Sequence, residues 1–138
     1  MRRLVPVLFR LFVGGVFFVA GTLKALDIAT FANDVARYGL VPEPLINIVA
    51  ITLPWIEIAA GGLLIAGAWT DGAAVVIAGL NVAFVGAVSV ALARGLEVCG
   101  CFGGAVARKA SAWTLAEDVV LLAASVWLIF QERKKLKR

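Results

Sequence analysis

The chain has 138 residues, 62% of them hydrophobic, and its mean hydropathy of +1.00 excludes an ordinary soluble globular domain in favour of an integral membrane protein. Lysine and arginine outnumber aspartate and glutamate by 13 to 9, yet the surplus sits at the two chain ends rather than along a stripe, which argues against nucleic-acid binding. Histidine is absent, so the commonest proton shuttle and metal ligand is missing, and chemistry falls to thiols, carboxylates, amines or a bound cofactor.

Met1-Arg2-Arg3 and the apolar run behind it have the charge layout of a signal peptide. The run is long, contains Arg10 and lacks a small-residue cleavage site, so it is expected to be a retained first span over residues 4–26. Gly14, Gly15, Ala20 and Gly21 give it small faces where a neighbouring helix can approach. Lys24, near its end, is expected to snorkel to the interface or to pair with Asp118. Arg10 lies deeper and either snorkels to headgroups or meets an acid inside the bundle. In residues 27–40, Ile28, Phe31, Val35 and Tyr38 or Leu40 recur at helical spacing against Asn33, Asp34 and Arg37, the pattern of a short amphipathic helix in the interface. Gly39 can end it, and Pro42 and Pro44 forbid its simple continuation.

A second span is predicted over residues 45–69, with Pro54 and Glu57 in its interior. Proline removes a backbone donor and frees carbonyls, while a mid-membrane carboxyl is costly unless paired or protonated, which makes Glu57 a candidate for proton handling or for a structural pair with Arg10 or an amide. Thr70-Asp71-Gly72 reads as a tight turn, and the third span, residues 73–93, places Asn81 near the depth of Glu57 as its expected hydrogen-bond partner. The fourth span, residues 112–130, can be capped by Ser111 or Thr114, carries Glu117 and Asp118 in its first turns, and is followed by a basic tail, residues 131–138. The fold expected is a single all-α membrane domain, residues 1–138: a four-transmembrane-helix bundle with a short interfacial helix between helices 1 and 2. Arg2, Arg3 and the basic tail against Lys24, Arg37, Arg94, Arg108 and Lys109 place both termini in the cytoplasm and the third connection outside. That corresponds to a multi-pass protein of a bacterial-type inner membrane, embedded in lipid.

The third connection, residues 95–110, holds both cysteines, Cys99 and Cys101, separated by Gly100. A disulfide across one residue needs a sharp turn that Gly100 permits, and so small a ring cross-links almost nothing, so a redox role outweighs a staple. Arg94, Arg108 and Lys109, with the amino end of the fourth helix, favour the thiolate that exchange requires. Two thiolates also suit a soft metal such as Cu(I), although no histidine or second methionine is present to complete a site.

Four stretches resemble the MauE/DoxX group of small four-helix membrane proteins: Phe18-x-Ala20-Gly21-x-x-Lys24, Tyr38-Gly39-Leu40-x-Pro42, Pro54-x-x-Glu57-x-x-x-Gly61 and Cys99-Gly100-Cys101-Phe102-Gly103. The last is similar to the MauE branch in particular. The resemblance implies thiol redox work outside the cytoplasm beside a thioredoxin-fold partner, in the maturation of disulfide-containing proteins. It also suggests analogy with quinone-linked thiol oxidoreductases, which carry two cysteine pairs where this chain has one. On that reading Cys99 and Cys101 exchange electrons, with Gly100 between them, and Glu57, Lys24, Asp118, Arg94 and Arg108 tune them or handle protons. Asn81, Phe102 and Trp113 border a quinone, with Lys24 or Asp118 reaching a quinone oxygen from an apolar cleft beside the loop. No metal is assigned. The alternative is a non-enzymatic membrane protein that binds a soft metal or anchors a redox partner.

Overall fold

A computed structural model describes residues 4–95 and 112–138. Among these residues the fold is all-helical: α1 Leu4–Leu26, α2 Ile28–Tyr38, α3 Glu43–Ala66, α4 Thr70–Ala93 and α5 Ala112–Leu136. Three of the helices, α1, α3 and α4, are long and apolar enough to cross a membrane. Their outer faces agree with a lipid surround, since Leu8, Phe12, Ile48, Trp55 and Val82 are all exposed, an arrangement that water would penalise.

α1 packs along α3 and α4 along α5, and the two pairs meet through α3 with α4 and through α1 with α5. The α1–α3 contact is close because of glycine. A Cβ on Gly21 would lie 2.7 Å from the Pro54 carbonyl oxygen, and one on Gly61 would lie 2.7 Å from both the Gly14 oxygen and the Phe18 nitrogen. Gly14, Gly21 and Gly61 are therefore the small face, whereas Gly15 points into open space. Between the four long helices lies a core of Val13, Phe17, Leu64, Ile77 and Leu128 with small alanines around them.

α2 begins where Asp27 accepts hydrogen bonds from the Thr30 N–H and hydroxyl at 3.2 and 2.7 Å. It ends at Gly39, whose φ of 63° suits a residue without a Cβ. Its apolar face, Phe31 and Val35, packs with Ala50 of α3. Asp34, expected on the polar face, is buried, and that burial pushes its carboxyl above the ordinary range despite the nearby charge of Arg37, with Asp27 adding to the rise.

Two boundaries differ from expectation. The α3–α4 turn falls at Gly67, Ala68 and Trp69 rather than at Thr70-Asp71-Gly72, because Gly67 takes the left-handed conformation (φ 76°) and ends α3 there, so Thr70 to Gly72 become the first turn of α4. α5 runs on into the basic tail, to Leu136 rather than 130. Its last turns are held by Glu132, which accepts from Thr70 Oγ1 (3.1 Å) and Lys135 Nζ (2.8 Å), and basic residues at a helix C-terminus also complement its dipole.

Candidate functional site

The second half of α3 begins at buried Pro54, and one turn later Glu57 points inward among helices that leave it no exposure. Close approach at Gly21 brings the end of α1 to this level, and a helical side chain leans back toward its own N-terminus, so Lys24 reaches into the interior rather than out of it. Lys24 Nζ donates to Glu57 Oε1 at 2.8 Å and Oε2 at 2.9 Å, and both side chains are fully buried. The ammonium also lies 4.6 Å from the Phe84 ring centroid and 5.4 Å from that of Phe31. Rings presented to a cation supply part of the stabilisation that water would give.

The expected partnerships are thus redistributed. Lys24 neither snorkels nor takes Asp118 as its direct partner, because Glu57 is the acid within contact distance. Asn81 does not bond Glu57: its Nδ2 donates to Ser125 Oγ at 3.2 Å, and that hydroxyl donates to the Leu121 carbonyl at 2.7 Å. Arg10 forms no ion pair with an acid among the described residues. Its guanidinium lies against Gly67, where a Cβ would come within 3.1 Å of it, and so faces the carbonyl-rich, electronegative end of α3. Asp118, 6% exposed, stands within electrostatic reach of Lys24, and its Oδ2 has no hydrogen-bond partner among the described residues.

Asp118 borders two spaces. One is a cavity of about 20 Å³ that it shares with Asn81 and Phe84. The other is a cleft of about 500 Å³ between α1 and α5, lined by Phe12, Val16, Trp113, Glu117 and Leu121 among others. Trp113 is largely exposed and its Nε1 donates to Glu117 Oε1 at 2.8 Å. Arg94, at the end of α4, donates from Nη1 to the Tyr38 carbonyl at 2.9 Å and so braces the end of α2. Cys99, Gly100, Cys101, Phe102 and Arg108 lie outside the described residues.

Three residues at the site were not singled out from sequence. Ser125 stands two turns beyond Asp118 on the same helix, a spacing that marks a shared face. Phe84 lies one turn beyond Asn81 in the same way. Phe31 was assigned only to the apolar face of α2.

Membrane-length apolar helices packed around a buried lysine–glutamate pair define a polytopic α-helical membrane protein. The chain belongs to the MauE family: the model of the family described as methylamine utilisation protein MauE matches residues 2–131. No curated protein and no solved structure matches it.

Proposed function

We propose that this chain is a four-span membrane thiol–disulfide redox protein whose Cys99 and Cys101 exchange electrons with an extracytoplasmic thioredoxin-fold partner, with quinone as the membrane acceptor. The observation that carries the reading is the buried Lys24–Glu57 pair with Asp118 beside it, at the half of the bundle from which the cysteine connection leaves α4 and enters α5. Ionisable groups inside a membrane are costly and mark function by default. Family membership adds methylamine utilisation as the setting, and the resemblance to the DoxX group is part of the same reading.

α5 serves as the fourth span. It is 25 residues long, exposes Val119, Val120, Val126 and Phe130, and turns Asp118, Ser125 and Leu128 inward. Orientation follows from the distribution of cations. Arg10, Arg133, Lys134 and Lys135 gather at one end of the bundle; Lys24, being neutralised inside, no longer counts among the cations of the other. The basic end is cytoplasmic and the cysteine connection faces outward.

In the reaction, one thiolate of the partner's dithiol attacks the Cys99–Cys101 disulfide and releases one cysteine thiolate; the partner's second thiolate then attacks the mixed disulfide, releasing the other cysteine thiolate and closing the partner's own disulfide. Two electrons and two protons have then passed to Cys99 and Cys101. Trp113 and Asp118 would border a quinone in the cleft between α1 and α5, and such a group would supply the two-electron, two-proton oxidant that restores the disulfide. In the test, purified reduced protein is mixed with a soluble quinone while free thiols and quinol absorbance are followed. Stoichiometric quinol with loss of two thiols per chain, abolished by Cys99→Ser or Cys101→Ser, supports the scheme. Thiols that stay reduced with quinone but are oxidised by a thioredoxin-fold disulfide refute the quinone arm. If both variants retain full function in cells and trap no partner, the protein is an anchor and the redox reading is wrong.

A further inference from the structure

Asn81 Oδ1 and Asp118 Oδ2 are buried polar atoms with no hydrogen-bond partner among the described residues, and both residues line the same small cavity. Asn81 is fully buried and Asp118 nearly so. The amide cannot profitably be turned round, because the Ser125 hydroxyl already gives its hydrogen to the Leu121 carbonyl and is left to accept from Nδ2. Both residues line a space of about 20 Å³; an occupant there donates to Asn81 Oδ1, and it donates to Asp118 when that carboxyl is ionised or accepts from it when it is protonated. A water fits, since a polar cavity needs only about 10–15 Å³ to hold one.

Charge sharpens the point. One cation, Lys24, faces two buried carboxyls: Glu57 from α3 by direct contact and Asp118 from α5 within electrostatic reach. α4 contributes only the neutral Asn81 at this level, and α5 adds Glu117, which is occupied with Trp113. On α2 the buried Asp34 lies in the field of Arg37 and Asp27. With both carboxyls ionised the interior group of Lys24, Glu57 and Asp118 carries a net negative charge in a medium that opposes it; with one proton added it is neutral. Glu57, holding both hydrogen bonds from Lys24, keeps the charge, so the proton falls to Asp118.

We propose that Lys24, Glu57 and Asp118, with a water held by Asn81 and Asp118, form a proton-exchange site that stores one proton and trades it through Asp118 with the cleft between α1 and α5. No electron moves in this exchange: Asp118 loses a proton to the occupant of the cleft and regains one. The site does not depend on the cysteines, so the test uses the full chain with Cys99→Ser and Cys101→Ser, in lipid nanodiscs, by infrared spectroscopy. The expected result is a carboxylic-acid C=O band at neutral pH that shifts in D₂O and vanishes in Asp118→Asn. It should vanish in Glu57→Gln as well, because Lys24 is then free to serve an ionised Asp118, and it should roughly double in Lys24→Met. A water O–H band sensitive to H₂¹⁸O should be lost in Ala20→Val, which adds two methyl groups at the wall of the cavity while leaving every polar residue in place. Absence of the acid band in the parent chain overturns the proposal, as does its persistence unchanged in Glu57→Gln. Should Lys24→Met not fold, the Glu57 and Asp118 variants decide the matter. Retention of the water band in folded Ala20→Val removes the water from the site.

Discussion

At the scale of single residues, the protein concentrates its electrostatic cost at Lys24 and Glu57. Removing one member of a buried ion pair leaves the other uncompensated and costs about 3–5 kcal/mol, whereas replacing both by apolar groups of similar size is often close to neutral. Lys24→Met and Glu57→Leu should each lower the thermal midpoint in mild detergent strongly, and the double variant should recover most of the loss. Additive losses in this cycle would show that the two side chains do not act as a pair. Glu57→Gln should stay folded, because it keeps shape and one acceptor for Lys24, while function falls if charge or proton transfer matters. Asp34 provides a separate pH signature. Its carboxyl titrates higher in the fold than in the unfolded chain, so the fold binds more protons and stability falls as pH rises from the ordinary carboxylate range through the raised value. Asp34→Asn should flatten that limb of a stability–pH profile, and an unchanged slope would assign the limb to other groups.

At the scale of elements, α1 and α3 are joined by backbone proximity rather than by large side chains. Gly61→Leu and Gly21→Val should force the helices apart, and because Glu57 Cβ lies 2.9 Å from where a Gly21 Cβ would sit, the second variant should also disturb the Lys24–Glu57 pair. Gly15→Ala meets nothing within 4 Å and is the control. It should be neutral or stabilising by up to about 1 kcal/mol, the ordinary helix preference for alanine over glycine. Comparison of melting curves in one detergent tests all three. α2 is tied at both ends, by Asp27 at its start and by Arg94 through the Tyr38 carbonyl at its finish. Arg94→Gln should therefore loosen α2, seen as faster amide hydrogen exchange over residues 36–39, apart from any effect on cysteine reactivity.

At the scale of the whole molecule, the arrangement separates a basic end from an end that bears the cysteine connection. A membrane-impermeant thiol reagent applied to intact, reduced cells should label Cys99 and Cys101. Labelling only after the membrane is opened would reverse the orientation and remove the extracytoplasmic partner. The same separation bears on the proposed chemistry: Cys99 and Cys101 belong to the connection between α4 and α5, and Asp118 lies two turns into α5 on that side.

Much of this was legible in the chain because a membrane reduces the problem to one dimension. Apolar length marks α1, α3 and α4, and alternating polarity at helical spacing marks α2; Gly39 and the paired prolines mark its end, and the Cys-Gly-Cys motif with its neighbours leads to the MauE family. Lys24, Glu57, Asn81 and Asp118 stood out for the same reason, as polar groups in apolar runs. Depth along each helix was therefore readable, but rotation about its axis was not. Whether Glu57 faces Asn81, Arg10 or Lys24 depends on how closely α1 approaches α3, and that is set by Gly21 and Gly61 meeting backbone across the interface. The extension of α5 to Leu136 depended likewise on Thr70, a residue from another helix that meets Glu132 only after the chain has folded back. Sequence by itself determined which groups had to be compensated inside the membrane. Tertiary structure decided which of them compensate one another, because side-chain hydrogen bonds act over about 3 Å while the period of a helix constrains a partner only to a face.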